Sequence, residues 1–146
     1  MNTRSGHPDR RASLADLLRG CLTGDPLAEE SRDGRFTFTA SIPDGHPIYE
    51  GHFPRVAILP GAVELLLVEL AATRAIGRPL RLARIASTKF ARPIFPDQPI
   101  AIEGAWRTDA EGRVLVEAHL TCDGQRAAAM KMVFDDPSRD GEAGRT

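Results

Sequence analysis

The residues best placed to do chemistry in this chain lie in one stretch, Gly51-His52-Phe53-Pro54-Arg55-Val56-Ala57-Ile58-Leu59-Pro60-Gly61, which runs straight into an apolar segment, residues 62–76. Glycines at both ends, with Pro54 and Pro60 between them, mark an ordered loop, and helical composition begins directly after the second glycine. An imidazole has an unperturbed pKa of about 6.5, so a histidine in such a loop is a usable proton acceptor near neutral pH. The first turn of a helix presents unpaired N–H groups and the positive end of a dipole, and a glycine there allows close approach to the backbone. A polarised carbonyl held at Gly61 while His52 moves a proton is the chemistry that this order of residues suits. A loop histidine by itself is more often a hydrogen-bonded structural residue than a catalyst, so the elements that position it carry the argument.

Residues 62–76 read AVELLLVELAATRAI, with apolar side chains around nearly the whole circumference, as in a helix buried on most sides. Gly77 and Pro79 end it. The stripe Leu65, Leu66, Leu67, Val68 and Leu70 reads first as core and second as the wall of an acyl tunnel. Glu64 and Glu69 interrupt it, and their plain reading is as solvated or dimer-facing positions.

Ahead of the loop, Leu14, Leu17, Leu18 and Leu22 fit one face of a short helix that Gly24 and Pro26 end. Residues 35–42 alternate large apolar with polar side chains and predict a half-buried strand, and Ile48 with Tyr49 adds a short one. Four strands are predicted after the helix, at 80–91, 99–108, 113–121 and 125–134, joined by turn-like links and paired as antiparallel hairpins. The fold class is α+β: an antiparallel sheet of about five to six strands wrapped around one central helix. Residues 1–30 form an N-terminal extension with a short helix, 31–135 the folded domain, and 136–146 a disordered tail.

At 146 residues and 42% hydrophobic content the chain suits one domain, and a formal net charge of −1 gives no general attraction to nucleic acid or to an anionic membrane. Cys21 and Cys122 lack the spacing of a zinc or redox motif, so no metal is expected and free thiols in a reducing cytoplasm are. No export signal or membrane span is predicted, which makes the chain cytoplasmic. Trp106 and Tyr49 read as packing residues. A small chain with so apolar a helix and open sheet edges is expected to dimerise.

With the histidine loop and its helix in view, the chain resembles the hot-dog-fold (3R)-hydroxyacyl-acyl-carrier-protein dehydratase family over about Phe36 to Phe134. That family's signature reads approximately G-H-F-P-G-x-P-I-x-P-G, and GHFPRVAILPG keeps Gly51, His52, Phe53, Pro54, Ile58, Pro60 and Gly61. Residues 89–97, KFARPIFPD, are similar to the family's K-F-x-R-P-V-x-P-G segment. The finer likeness is to dehydratases of aryl-polyene and type II polyketide pathways.

The resemblance implies that His52 removes a C2 proton, that the Gly61 N–H binds the thioester oxygen, and that Phe53, Pro54, Pro60 and Leu66 line the substrate. It implies dehydration of a (3R)-3-hydroxyacyl thioester to the trans-2-enoyl thioester, in fatty-acid or polyene and polyketide biosynthesis. No cofactor is implied beyond the phosphopantetheine of the acyl carrier protein.

Two departures stand out. The family acid lies five residues after the helix-start glycine, and that position is Leu66. Glu64 points towards the opposite face from Leu66, whereas Glu69 comes about one turn deeper on the same face, so Glu69 is the better internal candidate for the acid. Arg55 also replaces a glycine. The alternatives are a non-autonomous subunit that takes its acid from a different hot-dog chain, as a homodimer or heterodimer allows, and a thioesterase on the same scaffold. Between Glu69 and Asp97 there is no acidic residue, while Arg74, Arg78, Arg81, Arg84, Lys89 and Arg92 all fall there. Such a patch suits docking of an acidic carrier protein, against the plain reading of a solvated face. With few aromatic residues to stack bases, Phe90 and Phe95 alone, it is disfavoured as a nucleic-acid surface.

Overall fold

Alternation decides the sheet. Phe36, Phe38 and Ala40 are buried while Arg35, Thr37 and Thr39 between them are exposed, which is the half-buried strand the sequence predicts. The computed structural model describes residues 10–24, 34–49 and 57–138. Its elements are α1 (Arg10–Arg19), β1 (Leu22–Thr23), β2 (Arg35–Ala40), a 3-10 turn (Pro47–Tyr49), α2 (Gly61–Ile76), β3 (Arg81–Phe90), β4 (Ile100–Thr108), β5 (Val114–Cys122) and β6 (Gln125–Asp135). The strands form one six-stranded antiparallel sheet in the order β1-β2-β4-β5-β6-β3.

One face of this sheet packs on α2. Phe36, Phe38, Ile100, Ile102, Val116, Leu120, Met130 and Phe134 meet Val63, Leu67, Val68 and Ala71 in a single core. Gly77 ends α2 in the left-handed region at φ 83°, with its N–H donating to the Thr73 carbonyl at 2.9 Å, a conformation that glycine adopts without penalty. The side of α2 left half-covered runs through Leu65, Glu69, Thr73 and Ile76. Among the described residues, no helix is long and apolar enough to cross a membrane. Cys21 and Cys122 are both free thiols, and Tyr49 and Trp106 pack against the core.

The structure corrects four local expectations. The first helix stops at Arg19, and Leu22, which had been assigned to its apolar face, pairs with Ala40 as part of β1. Thus the segment predicted as an extension supplies a strand to the sheet. Ile48 and Tyr49 form a 3-10 turn rather than a strand, because the His46 imidazole caps it: Nδ1 accepts from the Ile48 N–H at 3.2 Å, so Nε2–H donates to the Leu17 carbonyl at 3.2 Å.

β3 and β4 do not make a hairpin. β3 pairs with β6 at one edge, and β4 lies between β2 and β5. The link between them, residues 91–99, crosses past the start of α2: the Leu59 N–H donates to the Ile94 carbonyl and the Asp97 N–H to the Ile42 carbonyl, each at 2.8 Å. Nor is the polar tail loose at its start. Asp136 is 4% exposed and accepts hydrogen bonds from the Arg78 Nε–H at 2.6 Å and from the Ser138 backbone and hydroxyl at 3.0 and 2.6 Å.

Candidate active site

Two backbone N–H groups stand at the start of α2 ahead of its helical ladder. Pro60 precedes it in an extended conformation and supplies no side-chain cap. Its carbonyl accepts from the N–H groups of Val63 and Glu64 at 2.9 and 3.2 Å, so the helical ladder begins there. The N–H groups of Gly61 and Ala62 fall outside that ladder, as they must at a helix end.

Against this first turn lies Phe90, the last residue of β3, which is 47% exposed. A β-carbon on Gly61 would stand 2.8 Å from the tip of the Phe90 ring, closer than real side chains come. Gly61 therefore suits the close approach of another side chain, which would have to shift to admit a β-carbon, and no left-handed backbone calls for it. Phe90 belongs to the 89–97 motif, so the two motifs read separately along the chain meet at the beginning of α2. Sequence reasoning did not single out Phe90 as a site residue, although its place in that motif was the signal.

The carboxyls of α2 are placed differently from each other. Glu64 is 3% exposed, and its Oε1 has no hydrogen-bond partner among the described residues. Burial pushes its pKa up to about 8, with no charged neighbour among the described residues contributing. At neutral pH it is therefore a carboxylic acid and not a carboxylate. The nearby Cys122 thiol is raised first by its own burial, then by Asp123 and by Glu64, which places the Glu64 carboxyl towards the end of β5.

The expectation that Glu64 is a solvated or dimer-facing residue is thus corrected: α2 is covered over so much of its circumference that the side turned away from Leu66 is also core. Leu66 is buried too, at 3% exposure. Glu69 lies on the half-covered stripe. His52, Phe53 and Pro54, expected from sequence as the base and two of its flanking substrate contacts, lie outside the described residues; Pro60 and Leu66 lie within them. Among the described residues, no three His, Cys, Asp or Glu side chains are grouped to hold a metal ion.

The basic run is not one continuous face. Arg74 donates to the Leu22 carbonyl at 3.1 Å and stands over the Phe38 ring, 5.9 Å from its centroid. Arg78 is clasped to Asp136, whose carboxyl is held down to about 2 by the hydrogen bonds from Ser138 and Arg78. Arg81 comes 3.8 Å from Asp135. These partners lie far along the chain, where no local pattern could reveal them. Arg84, Lys89 and Arg92 are the exposed cations of the run that carry no such described pairing.

Comparison with known proteins adds the following. The family model of the ApeI-like dehydratases, described as ApeI dehydratase, matches residues 28–130. The 3-hydroxyacyl-[acyl-carrier-protein] dehydratase FabZ of Thermus thermophilus is 25% identical over 116 residues, covering 72% of this chain and 80% of the relative. Among solved structures, the dehydratase heterocomplex ApeI:P from Xenorhabdus doucetiae matches with a TM-score of 0.62 at 20% identity, covering 70% of this chain and 88% of that one. A hypothetical thioesterase protein with coenzyme A from Streptococcus pneumoniae matches with a TM-score of 0.61 at 11% identity, covering 84% and 93%. The fold is the hot-dog fold, a six-stranded antiparallel sheet around one long helix.

Proposed function

This chain belongs to the ApeI-like dehydratase family, and on that premise we propose that it removes water from a (3R)-3-hydroxyacyl thioester carried on an acyl carrier protein, giving the trans-2-enoyl thioester. The observation that carries this reading is the start of α2: an uncapped helix end that opens on Gly61, follows directly on the histidine loop and is flanked by Phe90. The Gly61 N–H donates to the thioester oxygen, where negative charge develops as His52 takes the C2 proton. The electron pair released at C2 forms the C2–C3 double bond and the 3-hydroxyl leaves as water. The reaction needs no metal and no cofactor beyond the phosphopantetheine arm of the carrier. Fatty-acid or polyene and polyketide assembly is the setting that the resemblance supports.

A second hot-dog subunit completes the reading. The outer edge of β3 has no strand beside it among the described residues, and it exposes Ile85 and Phe90. Such an edge, ten residues long, is a template for antiparallel addition. The variant of this reading in which the second subunit is a different chain is favoured by Leu66, which puts an apolar side chain where the family has its acid, and by the heterocomplex character of the ApeI:P structure.

The test is incubation of the purified chain, alone and mixed with a hot-dog protein encoded beside it, with a 3-hydroxyacyl carrier protein. Mass spectrometry should show loss of one water from the acyl chain. Release of free acid instead would establish a thioesterase, and an unchanged acyl group in both mixtures would defeat the reading.

A further inference from the structure

Water elimination needs a base at C2 and an acid at the departing hydroxyl, because hydroxide is a poor leaving group. The thioester oxygen and the 3-hydroxyl of the substrate are only two carbon–carbon bonds apart, so the acid must stand close to whatever holds that oxygen. If the oxygen is held at Gly61, position along α2 discriminates between the two glutamates. Glu64 is three residues on, which is about 60° around the helix and about 4.5 Å along it. Its side chain leans back towards the helix start, over the turn that contains Gly61. Glu69 is about 12 Å along the helix, and lies on the half-covered stripe instead.

The state of Glu64 agrees with its place. A buried polar atom without a partner is costly, and an apolar residue would fill the same core position at lower cost. Yet Oε1 of Glu64 is buried and has no hydrogen-bond partner among the described residues, three positions into a helix whose N-cap, Pro60, makes no side-chain cap. A neutral acid in that position has a proton to give to a ligand oxygen that reaches the start of α2. Building on the dehydratase reading, we infer that Glu64 is the acid that protonates the departing 3-hydroxyl, in place of a carboxyl at position 66. His52 takes the C2 proton, the C3–O bond breaks, and the hydroxyl oxygen takes the Glu64 proton to leave as water. Glu64 is left as a carboxylate and His52 as an imidazolium, and transfer of one proton between them through solvent resets the site.

Among the described residues, few groups bear on Glu64. Its own shift has burial as its cause, and the titratable side chain that it perturbs is the Cys122 thiol of β5. Gly61 and Phe90 on the neighbouring elements carry no charge. The rate should therefore fall above about pH 8, as this carboxyl ionises.

The experiment compares wild type, Glu64→Gln, Glu64→Leu and Glu69→Gln on a 3-hydroxyacyl carrier protein, with the melting temperature and the pH profile of each. The expected result is a loss of kcat of roughly 100-fold to 10,000-fold in both Glu64 variants, with loss of the alkaline limb from the residual rate of Glu64→Gln. Glu64→Leu should melt no lower than wild type, which separates a catalytic role from a structural one. Full activity of Glu64→Gln with an unchanged profile, or loss confined to Glu69→Gln, would overturn the inference and leave the dehydratase reading standing. Absence of dehydration by wild type, alone and with its partner, would remove both.

Discussion

Phe90 and Gly61 stand so close that the tip of the phenyl ring would lie 2.8 Å from any β-carbon added to the glycine. The clash in Gly61→Ala falls on the far end of a side chain that is 47% exposed, so the ring can swing aside. An alanine gains up to about 1 kcal/mol in helix propensity, and an off-rotamer ring costs about 0.5–1.5 kcal/mol. Stability by denaturant titration should therefore change by no more than about 1 kcal/mol. Turnover should fall by about 100-fold, the scale of a lost oxyanion donor, because the new methyl group and the displaced ring crowd the open N–H groups.

His52→Ala should abolish dehydration and leave the folded state intact, since the residue is read as a loop base and not as core. Removal of a general base typically costs about two to four orders of magnitude in rate. Circular dichroism with single-turnover kinetics checks both halves of this expectation, and unchanged turnover in a folded variant would exclude His52 as the base.

Docking of an acidic carrier should depend on the exposed cations and not on the whole basic run. Arg84→Glu combined with Arg92→Glu should weaken carrier association and flatten its salt dependence, while a small soluble thioester mimic is turned over as before. Arg78→Glu should behave differently, because it sets two carboxyls against each other at Asp136. Its first effect should be a lower melting temperature, with both substrate types affected alike.

Glu64 also makes stability depend on pH. Its carboxyl titrates at about 8 in the folded chain against 4.5 ordinarily, so between those values the unfolded chain has released a proton that the folded chain keeps. The unfolded state then binds fewer protons, and stability falls as pH rises across that window. Glu64→Gln should gain on wild type in thermal melts from the lower to the upper end of it. Asp136 works in the opposite sense: its folded pKa of about 2 lies below the ordinary 3.8, so its contribution is present above 3.8 and is lost as pH falls through that range.

Strands β2, β4 and β5 were legible because each alternates more and less buried side chains along its length, β6 because a turn precedes an apolar run, and α2 because glycine and proline bracket a long apolar run. The histidine loop and the 89–97 motif were legible as words in the sequence, and the structure adds that the second reaches the helix through Phe90. What could not be read was set by tertiary contact. The edge that β3 takes depends on how residues 91–99 cross the helix start, and nothing in the strand itself encodes that. Glu64 and Glu69 look alike in a sequence, both being single acids in an apolar helix, and only the depth of the surrounding sheet makes one a neutral buried acid. Arg78 and Asp136 are 58 positions apart, which is why the arginine read as part of a free basic face.

The two ends of the sheet are unequal, and the inequality bears on how large an assembly can grow. β3 offers ten residues, with register shifts on either side of the pair Arg84 and Ile85, whereas among the described residues β1 pairs with β2 through Leu22 and Thr23 alone. Head-to-tail growth would have to lay the long edge of one copy along the two-residue edge of the next, for very few backbone hydrogen bonds. Edge-to-edge addition of β3 to its equivalent follows a two-fold axis and uses up both long edges at once. A pairing of β3 with its equivalent would therefore use up the long edge of each copy and leave only the short β1 edges among the described residues, where an even-edged sheet would be free to propagate as a filament.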